Sequence, residues 1–345
     1  MAKKVYVGLS GGVDSSVTAA LLVEQGYEVT GVYMKNWSQD FSGFDCPWKD
    51  DYQDAKRVAV QLGIPFKMYD FEKEYRQKVV NYMVAEYQVG NTPNPDIMCN
   101  QEVKFKLFLE TALEDGADLI ATGHYARVKN GRLLTAANKE KDQTYFLYRV
   151  SEDALKHVLM PIGDYKTKIE VRSLAKKFGL ATAEKKDSQG ICFVGKVGIK
   201  DFLLHELGPQ APGLIKNESG KVIGQHEGAI FYTIGQRHGL SVGGGLPYYV
   251  VGKDMKKNEV YVTTNLDDKE LWHKSLQLSS VHWINSQPSA TKLQVRTRYR
   301  ADLVNCIISE DGKIVELEDE VRAVTSGQSA VFYDGDKVLG GGIIS

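Results

Sequence analysis

Three glycines and three serines fall within nine residues that join an apolar stretch to a helix-like run. A loop between a strand and a helix directs its backbone N–H groups to the helix N-terminus, where unpaired donors and the helix dipole favour an anion. Glycine lets the backbone approach a phosphate closely, and serine hydroxyls can add donors. These residue types predict a phosphate-binding loop, formed by Gly8, Leu9, Ser10, Gly11, Gly12, Val13, Asp14, Ser15 and Ser16.

The loop does not match the two commonest nucleotide-binding motifs. It lacks the G-K-[ST] ending of a Walker A loop, and it lacks the G-x-G-x-x-G pattern of a dinucleotide site. Asp14 admits two interpretations. An acidic residue at this place either helps to position Mg²⁺ or the phosphates, or it only caps the helix.

Four cysteines lie far apart and form no C-x-x-C pair, so neither a disulfide scaffold nor a typical zinc site is expected. We interpret Cys46 and Cys306 as packed thiols. Cys99, in N-P-D-I-M-C-N, and Cys192, in D-S-Q-G-I-C-F, lie in loop-like stretches. A helix predicted to begin near Gln101 would favour a thiolate at Cys99, and neighbouring lysines would favour one at Cys192.

Asp96 precedes Cys99 by three residues. Its carboxylate can act as a general acid or base on a bound substrate. The alternative is a turn residue that follows Pro95 and has no chemical role.

Strand-like and helix-like segments alternate over the first 200 residues, which predicts βαβ units and a parallel sheet. A loop is predicted at 91–100. After about residue 204, short alternating runs separated by glycine predict antiparallel β modules. We therefore expect an α/β parallel-sheet, Rossmann-like domain at 1–203, a small β-rich central domain at 204–270 and a C-terminal antiparallel β-barrel at 271–345.

The composition is that of an ordinary folded protein, with 43% hydrophobic and 25% charged residues. No apolar run reaches the roughly 18 to 20 residues of a membrane-spanning helix, and Met1 to Lys4 lead into a strand without an apolar leader. We therefore expect a cytoplasmic protein with no membrane partner.

The formal net charge of −1 requires a local patch for any polyanionic partner. Residues 165–200 offer one, with nine Lys or Arg against three Asp or Glu. A solvated helix face explains this segment equally well. One candidate for phosphate contacts is the helix with Lys166, Lys168, Arg172, Lys176 and Lys177, and another is the group Lys141, Asp142 and Gln143.

S-G-G-V-D-S at 10–15 resembles the signature of the PP-loop, or N-type ATP pyrophosphatase, group. The resemblance implies that the loop binds ATP and holds the departing pyrophosphate, with Mg²⁺ expected. It also implies that Met34 and Gly123 line the adenosine part of the pocket.

S-G-G-V-D-S-S, N-P-D-I-M-C-N, A-T-G-H-Y, D-S-Q-G-I-C-F, Y-T-I-G-Q-R and V-F-Y-D-G occur in order along the chain and together resemble the tRNA-specific 2-thiouridylase family. This family replaces the C2 oxygen of the wobble uridine, U34, of glutamate, glutamine and lysine tRNAs with sulfur. The resemblance implies that ATP adenylates this oxygen and that a persulfide on Cys192 supplies the sulfur. Cys99 would then form a disulfide with Cys192 or assist a hydrosulfide path.

The resemblance further implies a partner tRNA, held by its anticodon stem-loop, and a sulfur-relay protein or cysteine desulfurase as persulfide donor. Asn94, Pro95 and Asp96 would surround the target uridine. The other implied tRNA contacts are His124, Arg298, Tyr299 and Gln328. Without the resemblance, Arg298 would be interpreted as part of the solvent face of an alternating strand.

Two other functions are compatible with a PP-loop. One is an amide-forming ligase of the NAD- or GMP-synthetase kind, which would not need Cys99 or Cys192. The other is a nucleotide-binding sensor without catalysis. The β modules and the two loop cysteines favour the thiouridylase hypothesis over both.

Overall fold

A computed structural model describes residues 2–40, 46–187, 198–240, 242–243, 245 and 247–345. The N-terminal part contains a five-stranded parallel sheet in the order β3-β2-β1-β4-β7, and β5 and β6 form a separate hairpin. The strands are β1 Lys4–Gly8, β2 Glu28–Lys35, β3 Phe66–Asp70, β4 Leu119–Ala121, β5 Ala126–Lys129, β6 Arg132–Thr135 and β7 Val158–Leu159.

Helices cover both faces of this sheet, as parallel strands require. Val5 and Val7 of β1 face one core, and Tyr6 between them faces the other. The α-helices are α1 Val13–Glu24, α2 Trp48–Leu62, α3 Glu72–Tyr75, α4 Asn81–Gln88, α5 Pro95–Met98, α6 Phe108–Glu114, α7 Glu152–Leu155, α8 Lys168–Lys177 and α9 Ile199–Leu207. Two π-helical stretches, Arg76–Val80 and Cys99–Leu107, join α3 to α4 and α5 to α6.

The predicted loop at 91–100 is wrong for its second half, because the helix begins at Pro95. Proline lacks an N–H that the first turn would leave unpaired, and its fixed φ suits a helix start. The side-chain oxygen of Asn94 accepts a hydrogen bond from the N–H of Asp96 (3.2 Å) and caps the helix. Cys99 therefore lies within the helix, one turn after its start, and not just before it.

The central part forms a four-stranded sheet in the order β10-β11-β8-β9. Its core contains Ile215, Val250 and Val260, all fully buried. The strands are β8 Gly213–Lys216, β9 Val222–His226, β10 Tyr249–Asp254 and β11 Glu259–Thr263.

The C-terminal part is a closed antiparallel barrel of six strands, in which β12 pairs with both β15 and β17. The predicted fold class is thus confirmed, from the parallel sheet to the C-terminal barrel. The strands are β12 Trp272–Trp283, β13 Lys292–Arg296, β14 Val304–Ile308, β15 Ile314–Arg322, β16 Ser329–Asp334 and β17 Lys337–Ile344.

The β5–β6 hairpin extends the barrel sheet, although it belongs to the N-terminal part of the sequence. Lys337 of β17 pairs with Leu134 of β6. Asp336, in the turn before β17, forms ion pairs with Arg127 (3.1 Å) and Lys139 (2.7 Å). Among the described helices, none combines the length and apolar character needed to cross a bilayer.

Candidate active site

The glycine-serine loop lies between β1 and α1, as the sequence predicts. The N–H of Leu9 donates to the carbonyl of Val32 (2.8 Å), which extends the sheet pairing by one residue. Gly11 has φ = +74°, and a Cβ there would collide with the backbone carbonyl of Asp51 at the start of α2. Only glycine fits this position without strain, because other residues rarely adopt a positive φ.

Serine hydroxyls stabilise the loop itself. Those of Ser15 and Ser16 both donate to the carbonyl of Gly12 (3.1 and 2.7 Å), and the N–H of Ser10 donates to the oxygen of Ser15 (3.2 Å). Ser15 and Ser16 are buried and their hydroxyls are used within the loop, whereas Ser10 is exposed. No side chain caps α1 at Gly12, and its first-turn N–H groups have no acceptor within the helix. These N–H groups are available to an anion, and the role of the serine hydroxyls as phosphate donors stays a prediction.

Asp14, in the first turn of α1, belongs to an ion-pair network. The ammonium of Lys168 lies 2.7 Å from both carboxylate oxygens of Asp14, and the Tyr125 hydroxyl donates to one of them (3.1 Å). Lys168 is also 3.0 Å from Asp187, which pairs with Lys141 (3.0 Å) and Arg172 (2.9 Å). Asp14 is therefore more than a helix cap, because it connects α1 to α8 and to the end of the described segment 46–187.

The basic segment is largely paired with carboxylates. Lys185 contacts Asp51 and Asp54, each at 2.7 Å. On α8, Lys177 pairs with Glu24 of α1 (3.3 Å) and Lys176 pairs with Glu184 (2.9 Å). Lys141, Lys168 and Arg172, which the sequence proposes for tRNA phosphates, lie beside the glycine-serine loop in this structure.

Gly123 and Met34 lie against the loop. A Cβ at Gly123 would be 2.6 Å from the backbone nitrogen of Ser15, so the end of β4 packs directly on the first turn of α1. A Cβ at Gly8 would be 2.9 Å from the terminal methyl of Met34. Both residues thus lie next to the predicted phosphate site, where the adenosine-lining interpretation needs them.

His124 follows Gly123 and faces the helix that carries Cys99. Its Nδ1 is 2.8 Å from the hydroxyl of Thr122, and its ring lies 5.5 Å from that of Phe105, centre to centre. Burial lowers the pKa of His124 well below its usual value, and the charge of Lys104 lowers it further. The imidazole is therefore neutral at physiological pH.

Asp96 is affected by the same lysine. Desolvation raises the pKa of the Asp96 carboxyl, and the positive charge of Lys104 partly opposes this rise. The segment after the phosphate loop thus contacts the helix of Cys99 through His124 and Phe105, and the charge of Lys104 affects both His124 and Asp96. The sequence alone does not indicate Lys104, because its contribution depends on the helical register.

Three of the four cysteines are described. Cys99 is 4% exposed and packs in the core between the sheet and the 95–114 helix. Burial raises the pKa of Cys306 to about 12, and burial also raises the pKa of Cys46, so both behave as the packed thiols expected. Cys192 lies outside the described residues. The expected cooperation of Cys99 with Cys192, by a disulfide or a hydrosulfide path, stays a prediction.

Two of the other predicted tRNA contacts have internal partners. Asp142 is buried and accepts hydrogen bonds from the Ala136 N–H (2.8 Å) and the Thr144 hydroxyl (2.7 Å). The side chain of Gln143 accepts from the N–H of Tyr125 (2.9 Å). Their role in tRNA binding stays a prediction.

The predicted contacts in the barrel connect the three parts of the protein. Arg298 donates to the carbonyls of Ile234 (3.3 Å) and Ala323, and the ring of Tyr299 lies 4.5 Å from that of Phe146. Gln328 donates to the carbonyl of Thr92 (2.6 Å). These residues hold the barrel against the segment that contains Asn94, which agrees with a role near the site but does not test it.

Comparison with known proteins assigns the family. Residues 3–196 match the family model described as tRNA methyl transferase HUP domain, residues 200–264 the tRNA methyl transferase PRC-barrel domain, and residues 273–344 the aminomethyltransferase beta-barrel domain. The protein named tRNA-specific 2-thiouridylase MnmA of Geobacillus thermodenitrificans is 48% identical, and that of Listeria monocytogenes 49%. Each alignment covers 99% of this chain and 94% of the relative. The chain belongs to the tRNA-specific 2-thiouridylase family.

Proposed function

We propose that this protein is a tRNA-uridine 2-sulfurtransferase that replaces the C2 oxygen of the wobble uridine with sulfur at the expense of ATP. The observation that carries the proposal is the close approach at Gly123. Gly123 packs against the first turn of α1, and the next residue is His124. Lys104 affects the pKa of both His124 and Asp96, and Asp96 lies one turn before Cys99. This short segment therefore connects the predicted phosphate site to the helix that carries Cys99.

In the first step the C2 oxygen becomes a leaving group. Asp96 takes the proton from N3 of the uridine, the electron pair shifts to O2, and O2 attacks the α-phosphorus of ATP. Pyrophosphate leaves, and AMP stays bonded to O2. The N–H groups at the start of α1 stabilise the departing pyrophosphate, because they point to the anion and need no reorganisation.

A divalent cation fits this step through one protein ligand. The described residues contain no group of three or more His, Cys, Asp or Glu side chains that could hold a metal. Magnesium is often bound by one carboxylate together with substrate phosphates, and Asp14 has that place beside the loop. Mg²⁺ would offset phosphate charge, while Lys168 and Tyr125 keep the Asp14 carboxylate oriented.

The second step transfers sulfur. The terminal sulfur of a Cys192 persulfide attacks C2, and the Cys99 thiolate then attacks the inner sulfur. A Cys99–Cys192 disulfide forms, AMP leaves with the C2 oxygen, and the thiocarbonyl stays on the base. In the alternative order, Cys99 first releases hydrosulfide, which attacks C2. Both orders consume one persulfide and require a thiol reductant to restore the cysteines.

The target base must leave the anticodon stack to reach Asp96, because C2 of a stacked pyrimidine is inaccessible. We assign the grip on the anticodon stem-loop to Lys141 and Gln143 and to the barrel residues Arg298, Tyr299 and Gln328. The persulfide comes from a sulfur-relay protein or a cysteine desulfurase.

The proposal is tested by incubating the protein with ATP, Mg²⁺, unmodified tRNA and a persulfide source. AMP should form in a one-to-one ratio with tRNA that is retarded in a mercury-containing gel. Cys192→Ser should abolish retardation and AMP release but leave pyrophosphate formation measurable, because adenylation precedes sulfur transfer. Cys99→Ser should stop multiple turnover.

Cys46→Ser is the matched control, because Cys46 is a partly buried cysteine with no assigned role and should leave both products unchanged. Thiolation by Cys192→Ser at the wild-type rate would refute the assignment of the sulfur carrier. In a parallel incubation that also contains a methyl donor, methylated uridine without AMP would instead indicate a tRNA methyl transferase, as the family model is described.

A further inference from the structure

Lys104 is a half-buried cation whose place depends on an irregular helix. The segment from Pro95 to Glu114 is one continuous helix with a π-helical stretch at Cys99–Leu107. The N–H of Phe108 donates to the carbonyl of Val103, five residues earlier, as π-helical pairing requires. Such stretches are rare and occur frequently at functional sites.

The π-helical stretch brings Lys104 into line with Asp96. The two residues are eight positions apart, which corresponds to one α-helical turn followed by one wider π-helical turn. In an uninterrupted α-helix of 3.6 residues per turn, the same separation would rotate Lys104 away from Asp96 by about 80°. The irregularity therefore changes which side chains share a face.

Charge supports the same placement. Within the described residues, Lys104 is the charged group that shifts the pKa of both Asp96 and His124. Neighbouring Lys106 is different, because it pairs with Glu102 (3.5 Å) and its side chain is 51% exposed. Lys104 is thus close enough to both Asp96 and His124 for its charge to affect them.

We propose that Lys104 is a positioning residue of the thiolation reaction, which the π-helical stretch places on the same helix face as Asp96, the residue assigned to the uridine. This inference rests on the proposed function and adds a residue to it. In the proposed reaction, the desolvated Asp96 carboxylate lies close to the phosphates of ATP. A negative charge is unfavourable in such surroundings unless a cation is nearby. Lys104 supplies that cation without reacting.

The consequence for pH dependence has a definite sign. Only ionised Asp96 accepts the N3 proton, so activity falls on the acid side as Asp96 is protonated. Lys104 lowers the pKa of Asp96 against the effect of burial. Removal of its charge raises this pKa, and the acid limb of the rate profile moves to higher pH.

The test is the pH profile of pyrophosphate formation with saturating ATP and tRNA, because pyrophosphate leaves in the adenylation step. In Lys104→Met the acid limb should move up by about one pH unit, so the rate on that limb falls about tenfold and recovers as pH rises. Lys104→Arg should keep the wild-type profile. Lys106→Met is the matched control from the same helix and should not move the limb.

His124 is the other group that Lys104 affects, and its pKa would shift in the same direction. The profile of Lys104→Met is therefore repeated with His124→Asn in both the parent and the lysine variant. A shift that persists identifies Asp96 as the titrating group. A shift that disappears, or an acid limb unchanged by Lys104→Met, overturns the proposal.

Lys104→Gln serves as a second neutral variant if Lys104→Met does not fold, as judged by circular dichroism. A wild-type protein that forms no AMP would refute the proposed function itself. An active wild type with an unmoved limb in the variant would refute only the role of Lys104.

Discussion

Two carboxylates near the site are stabilised in opposite ways. Asp187, beside the phosphate loop, is partly desolvated, but Lys168 and Lys141 outweigh that effect and lower its pKa. Asp96, on the thiol-bearing helix, is desolvated more strongly than its single cation Lys104 can offset, so its pKa is raised. The loop region is a network of paired charges, whereas the Asp96 region holds one underpaired acid.

This contrast separates binding from chemistry. A paired network keeps its geometry before a ligand arrives, which suits a site that positions phosphates. An underpaired carboxylate reduces stability, and such groups concentrate where proton transfer occurs. We therefore expect substitutions in the loop region to reduce both stability and ATP use, and substitutions at Asp96 to reduce activity without reducing stability.

The largest effect is expected from Gly11→Ala. The added Cβ would meet the Asp51 carbonyl, so the loop or α2 must shift, and ATP-dependent AMP formation should fall at least about 100-fold.

Gly26→Ala is the matched control. Gly26 also has a positive φ (+84°), but a Cβ there meets no atom within 4 Å. Its strain costs about 1 kcal/mol in unfolding free energy without touching the loop. Equal activity loss in the two variants would show that backbone strain, not loop shape, is responsible.

A smaller effect, on stability, is expected from Asp187→Asn. The variant leaves Lys168, Lys141 and Arg172 without their shared acceptor and should lower the unfolding free energy at pH 7 by about 1–2 kcal/mol, a value reduced for the partial exposure of the site. Because the folded state lowers the pKa of Asp187, its contribution is complete above the ordinary Asp pKa and disappears as pH falls through the lowered value.

Urea unfolding at a series of pH values measures this difference. Glu184→Gln removes an exposed ion pair with Lys176 and should leave the unfolding free energy unchanged. A destabilisation by Asp187→Asn that stays constant down to pH 2 would contradict the electrostatic explanation.

The two regions also differ in how much of their structure the sequence predicts. The glycine-serine loop is a local pattern, and it lies between a strand and a helix as the sequence predicts. The loop predicted at 91–100 misses the helix start at Pro95, because proline and asparagine are common in turns but also begin helices. The ion pair between Asp14 and Lys168 joins residues 154 positions apart, and no local pattern encodes it. Lys104 was missed because a π-helical stretch changes the period on which pattern arguments depend.

The smallest effect on stability is expected from Asp96→Asn, and it has the opposite sign. The amide removes a desolvated charge but keeps the shape of the side chain, so the unfolding free energy at pH 7 should rise by about 0.5–2 kcal/mol. Because the folded state raises the pKa of Asp96, its ionised form destabilises the protein above that pKa, and this cost disappears as pH falls and the carboxyl is protonated. The gain in unfolding free energy of the variant should therefore be present at pH 7 and absent near pH 3, as measured by urea unfolding.

AMP formation should be lost in the same variant, since the amide cannot accept the N3 proton. A variant that is both less stable and inactive would mean that Asp96 holds the helix start together and that its underpaired charge does not distinguish the two regions.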